Sequence, residues 1–237
     1  MSEPLTPITE TEADDPNHWL ETVEGDAALA WVRAQNARSL AELQADPRYA
    51  GFEAAALDAL NSSERIPYGA VRDGMVYNFW QDDVNVRGLW RRTRLDSYAT
   101  AEPVWETVVD FDTLAAEEGK NWVYKGANCL RQLGQPVRHC LVSLSDGGKD
   151  AVVNREFDLV TKTFVADGFV TPEAKQGVAW VDADTLLIAS DWGEETVTAS
   201  GYPFIVKRWR RGTPLEDAEE VIRGAREHVG VWPMVME

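Results

Sequence analysis

Val71-Arg72-Asp73-Gly74-Met75-Val76-Tyr77-Asn78-Phe79-Trp80 is the stretch that decides the fold of this 237-residue chain. Apolar and aromatic residues flank Asp73-Gly74, and Asp-Gly suits the positive φ angles of a two-residue hairpin turn. Two strands are therefore expected, the second running on to Trp80. Leu89-Trp90-Arg91-Arg92-Thr93 reads as a third strand and Val104 to Val109 as a fourth. Phe111 to Gly119 reads as a short helical insertion.

The same texture then returns. Trp122-Val123-Tyr124, His139 to Leu144, Val152 to Leu159 and Thr163-Phe164-Val165 form a second set of four, with Ser145-Asp146-Gly147-Gly148 as a turn. Gly177 to Trp180, Leu186 to Ala189, Ile205 to Trp209 and Ala218 to Ile222 form a third. A fourth set starts near Val229. First strands near Ile66, Trp122, Val178 and Val229 recur every ~50–56 residues, the spacing of four-stranded propeller blades. Leu-Trp-Arg-Arg-Thr at 89–93 echoes Trp-Arg-Arg-Gly-Thr at 209–213. The expected fold is mainly β: a partial β-propeller of about three to three and a half blades. The blades are expected at 66–111, 121–166 and 177–223, with a fourth beginning at 228, inside an incomplete propeller over 64–237. Open blade faces at its ends would invite self-association.

Upstream the period changes. Residues 1–15 are polar and acidic and are expected to be a flexible tail. Residues 16–63 are expected to form a helical arm of two helices. Asp26 is the expected N-cap of the first, where Leu29, Val32, Asn36, Leu40 and Leu43 recur at helical steps. Asp46-Pro47 stops it. The second runs from Arg48 to about Leu60, with Tyr49, Phe52, Ala56 and Leu60 on one face.

Composition limits the partners. Forty acidic and 23 basic residues leave a net charge of −17, which repels phosphate backbones and anionic lipid. No nucleic-acid or membrane partner is expected, and no stretch approaches a membrane span. The start has neither a basic region nor an apolar run, so a cytoplasmic address is expected. In a reducing compartment Cys129 and Cys140, although able to meet across a hairpin, are expected as two buried free thiols.

Asp15-Pro16-Asn17-His18-Trp19-Leu20-Glu21, followed by Ala30-Trp31-Val32 and Ala34-Gln35-Asn36, resembles the N-terminal signature of the prolyl oligopeptidase family of serine peptidases, family S9. Asn17 and His18 depart mildly from it. Asn78-Phe79-Trp80, Arg87 to Thr93, Trp105 to Asp112, Asn121-Trp122 and Lys125-Gly126-Ala127 resemble the propeller of bacterial members. The resemblance implies a seven-bladed propeller capping an α/β-hydrolase domain. It implies cleavage of short peptides, typically after proline, with the propeller excluding large substrates. The arm would pack on the hydrolase domain, a partner this sequence does not contain.

That chemistry needs a serine on a Gly-x-Ser-x-Gly elbow with a later Asp and His. The sequence has no such elbow. Ser143 and Ser145 fall on a strand and its turn, and Ser200 in a loop. No catalytic residue, cofactor site or metal site is assigned, and the chain is expected to be inactive alone. His139 and Cys140 would point to opposite faces of a strand, which disfavours a shared metal. Asp82-Asp83, Asp110 with Asp112, Asp182 with Asp184 and Glu194-Glu195 read as turn formers rather than a glycosidase pair. Lys207-Arg208, Arg210-Arg211 and Arg91-Arg92-Arg94 read as solvated strand ends. Trp80, Trp90, Trp122, Trp180 and Trp209 are expected mostly to fill space between blades. Trp192, beside Gly193, is the candidate for an exposed aromatic contacting substrate in the propeller tunnel. The competing reading is a protein-binding or self-associating module without enzymatic activity.

Overall fold

The computed structural model describes residues 15–22, 25–62 and 67–236. The chain divides into two units, residues 1–62 and 63–237. Nearly all of the expected N-terminal tail lies outside the described residues.

In the first unit, a 3-10 turn at His18–Glu21 precedes α1 (Asp26–Gln44) and α2 (Tyr49–Asn61). Gly25, not Asp26, occupies the N-cap of α1. Asp26 is the first helical residue, where its charge meets the positive end of the helix dipole. Asp46 bridges the break between the helices, accepting from the Arg48 backbone at 2.9 Å and its guanidinium at 2.7 Å. The Trp31 ring meets Trp19 edge-on at 6.3 Å. Leu43, Phe52 and Leu60 are exposed by 59%, 69% and 65%, so the arm presents apolar side chains outward.

The second unit is three four-stranded antiparallel sheets, each in sequential order. The first is β1 (Ala70–Arg72), β2 (Met75–Trp80), β3 (Leu89–Arg94) and β4 (Glu106–Asp110). The second is β5 (Trp122–Cys129), β6 (His139–Asp146), β7 (Val153–Asp158) and β8 (Thr163–Phe164). The third is β9 (Gly177–Asp182), β10 (Thr185–Ala189), β11 (Ile205–Arg210) and β12 (Glu219–Arg223). These are three blades of a partial β-propeller. Asp73 and Gly74 take φ angles of 47° and 73°, the pair of left-handed residues a two-residue hairpin demands. Arg72 then pairs with Met75.

Two short helices join the first blade to its surroundings: α3 (Leu95–Tyr98) after β3, and α4 (Phe111–Glu118) after β4. The Asp110 carboxylate accepts the Thr113 N–H at 3.0 Å, and Gly119 closes α4 in the left-handed conformation. Both ends are thus capped locally.

Residues 229–236 form no strand among the described residues; the Val231 N–H donates to Pro203 O at 2.8 Å.

The core lies between blades rather than within them. Tyr77, Trp90, Phe111, Val142 and Phe157 pack blade 1 on blade 2. Leu141, Phe169, Trp180, Ile188 and Trp209 pack blade 2 on blade 3. Cys140, Val142 and Leu144 face one seam while Leu141 faces the other, the period of two a strand imposes. Cys129 and Cys140 are joined as a disulfide, not free thiols. They are direct register partners on β5 and β6, and pairing brings the sulfurs within bonding reach whatever the compartment suggests.

Candidate functional site

β1, β5 and β9 begin their sheets, and each leaves one edge unpaired within its sheet. β5 and β9 converge: Asn128 Nδ2 donates to Val178 O at 2.8 Å, and Trp180 Nε1 donates to Asn128 O at 3.0 Å. β12, at the opposite margin of its sheet, is exposed along its whole length. The first strands are therefore the inner ones, and the clefts between blades open beside them.

The seam between blades 2 and 3 is closed by charge. Glu156 on β7 is 1% exposed. Arg211, just past β11, grips it through both terminal nitrogens at 2.9 and 3.0 Å. The Phe169 N–H donates to the same carboxylate at 2.9 Å. The guanidinium also meets Asp184 and the Ala183 carbonyl, and lies 4.5 Å from the Phe169 ring centre. His139 Nδ1 lies 2.9 Å from Glu156 but makes no aligned hydrogen bond. Burial pushes the Glu156 carboxyl up, but the Arg211 guanidinium and the Phe169 N–H outweigh it and hold it below the usual range. A carboxyl depressed in the folded state stabilises above its unfolded value and loses that contribution as pH falls through the folded one. Asp158, held low against burial by Arg138, acts with the same sign. Thermal unfolding should therefore show Tm roughly flat near neutrality and falling below about pH 4.3, with the loss blunted in Glu156→Gln relative to its own neutral value.

The seam between blades 1 and 2 is closed by rings. Tyr124 stacks with Phe111 at 4.9 Å and Trp90 at 6.1 Å between centres. Burial pushes its hydroxyl up to about 12, so it stays a neutral donor. Polar groups finish the edges. Arg92 donates to Glu106 at 2.6 Å and across the seam to Leu159 O at 3.1 Å. The Arg87 backbone donates to Asp112 at 2.9 Å, and its guanidinium to Trp122 O. The Arg91 guanidinium lies 4.2 Å from both the Trp80 and Trp105 ring centres.

These arginines differ from the solvated strand ends expected of Arg91-Arg92-Arg94 and Arg210-Arg211. Arg94 fits that expectation, being exposed and paired with Asp96, whereas Arg91 lies against two rings of its own blade and Arg92 and Arg211 reach across seams. One sequence carries no signal separating the two kinds. The acidic pairs sit in local structure: Asp110 caps α4, Asp112 holds the Arg87 and Gly88 N–H groups, and Asp182 accepts from Asp184. Ser143 Oγ donates to Asn154 and Ser145 Oγ to Lys149 O. Trp90, Trp122, Trp180 and Trp209 are buried. Trp192 is half-buried, its Nε1 donating to Ile205 O at 3.1 Å and its ring 4.3 Å from Lys207 Nζ. No group of three metal-ligating side chains occurs among the described residues. Likewise no described helix is long and apolar enough to cross a membrane.

A family profile described as the prolyl oligopeptidase N-terminal beta-propeller domain matches residues 4–232. An uncharacterised peptidase of Sinorhizobium fredii is 45% identical over 220 residues, covering 92% of this chain and 30% of the relative. An uncharacterised peptidase of Rickettsia prowazekii is 36% identical over 222 residues, again 30% of its length. A post-proline cleaving enzyme from Rickettsia typhi superposes with a TM-score of 0.77 at 34% identity, over 90% of this chain and 31% of that one. Oligopeptidase B from Leishmania major shares the fold at a TM-score of 0.62 and 13% identity, over 89% and 28%. The chain thus spans just under a third of each of these relatives.

Proposed function

The chain belongs to the prolyl oligopeptidase family through its N-terminal β-propeller domain, and from that premise we propose that it is the arm and gate of a serine peptidase acting on short peptides. The hydrolase domain supplies the chemistry, and this chain supplies the wall that screens substrates by size. One observation carries the reading: three blades stand side by side with unpaired inner edges and packed side-chain clusters between them. Such a wall passes an extended peptide along its inner edges and stops a folded protein. The exposed apolar residues of α1 and α2 suit a surface for the hydrolase domain. Trp192 is proposed as a substrate contact through its half-exposed ring edge.

The test compares the full coding sequence with this chain. Full-length enzyme should cleave a short chromogenic peptide after proline, be blocked by a serine-directed inhibitor, and leave a folded protein carrying the same motif uncut. This chain alone should cleave neither. Inhibitor-insensitive turnover by this chain, or equal cleavage of both substrates by the full enzyme, would overturn the proposal. We place the enzyme in the cytoplasm. Cell fractionation should then recover the enzyme with cytoplasmic markers, and recovery with secreted or periplasmic material would reject that address.

The second reading, a self-associating module, draws on the exposed β12 edge. A monodisperse dimer of this chain by light scattering would favour it, and a monomer would count against it.

A further inference from the structure

Two cavities on the seam between blades 1 and 2 meet at one residue, Arg72. The first, of about 210 Å3, is walled by Tyr77, Phe79, Trp90 and Tyr124, with the fully exposed Tyr68 at its mouth. The second, of about 330 Å3, is polar and lies between the β1–β2 turn and the 131–137 loop, where Arg131, Gln132 and Gln135 line it. Arg72 lines both. Its guanidinium lies 5.3 Å from the Tyr77 ring centre. That guanidinium forms no ion pair or hydrogen bond among the described residues, and neither does that of Arg131. Among the described residues the one carboxylate on either cavity is Asp73, which accepts the Val137 N–H at 2.6 Å. Tyr124, neutral to about 12, adds a buried hydroxyl rather than a negative charge.

An aromatic compartment, then a guanidinium, then a cation with two amides is a sequence of chemistries with one complement. The ligand carries an apolar side chain next to a carboxylate. We propose that this cleft is a subsite for the C-terminal residue of a peptide, its side chain among the rings and its carboxylate on Arg72, with Arg131 behind. The planar guanidinium can hold a carboxylate by two parallel hydrogen bonds. The choice of a peptide as ligand rests on the functional reading above; the apolar-plus-anionic complement rests on the cleft alone. A peptide captured by its C-terminus at the inner edge of the wall would be oriented before it reached the hydrolase domain.

The probe is acetyl-Gly-Phe with a free carboxylate, titrated into this chain and followed by calorimetry and tryptophan fluorescence, Trp90 being in the wall. Saturable binding is expected, weakened at least about tenfold for the C-terminal amide and in Arg72→Gln, as loss of a charge-assisted contact should be. Arg226→Gln, a change remote from the cleft, should bind like the parent. Should Arg72→Gln lose its near-UV circular dichroism, Arg131→Gln is read instead, with weakening again expected. Equal binding of acid and amide, no saturable binding, or unchanged affinity in the folded arginine variant would overturn the subsite. Binding is read without turnover. A full-length enzyme that fails to cleave prolyl peptides would therefore sink the functional reading and leave this titration standing.

Discussion

Arg211→Ala is expected to destabilise the propeller unit by about 3–5 kcal/mol, because it strands the Glu156 carboxylate in the core without its partner. Glu156 is 1% exposed and keeps only the Phe169 N–H and the poorly aligned His139 ring once Arg211 is gone. Denaturant unfolding should show the midpoint fall with the slope unchanged. The double variant Glu156→Gln/Arg211→Met should recover much of the loss, since removing both charges removes the uncompensated one. A single Arg211→Ala change costing less than about 1 kcal/mol, the range of an exposed pair, would show that the seam is solvated.

Phe111→Ala should cost a similar amount by another route. The side chain is wholly buried and stacks on Tyr124 and against Phe79. Deleting a buried ring loses transfer energy and leaves a cavity, together about 3–5 kcal/mol. Phe111 is also the first residue of α4, directly behind its Asp110 cap. Phe111→Leu keeps apolar contact and should lose less than half as much. The two seams should also part under salt. High ionic strength screens part of the Arg211 contribution, while the Phe111 contribution should hold or rise in a kosmotropic salt. Equal salt responses in the two variants would contradict the difference between ionic and aromatic closure.

The blade pattern was legible because short β-rich runs recur between local turn signals. Asp73-Gly74 names its own turn, and the first strands return every ~50–56 residues. Helix α4 was legible from Phe111 to Gly119 because its cap and its stop are both local. What stayed hidden was long-range. Glu156 and Arg211 are 55 residues apart, and nothing near either one marks it as buried. Arg92 and Arg94 sit two apart on one strand, yet one crosses a seam and the other meets solvent. The cleft at Arg72 joins β1 to the loop after β5, a meeting that only blade packing creates. The cysteines differ again: composition marks a compartment, whereas the β5–β6 register sets Cys129 opposite Cys140 and so pairs them.

Every ladder in this fold is confined to its own sheet, and the described blades touch through side chains. The architecture is therefore tolerant of copying. A gene segment encoding one four-stranded unit can be duplicated or lost without tearing a strand from its neighbours. What selection must then rework is the pair of faces at the new junction, a handful of aromatic or ionic positions. The faint echo between residues 89–93 and 209–213 is what such a history would leave behind. Repeats descended from one ancestor drift apart mainly where each has had to match a different neighbour.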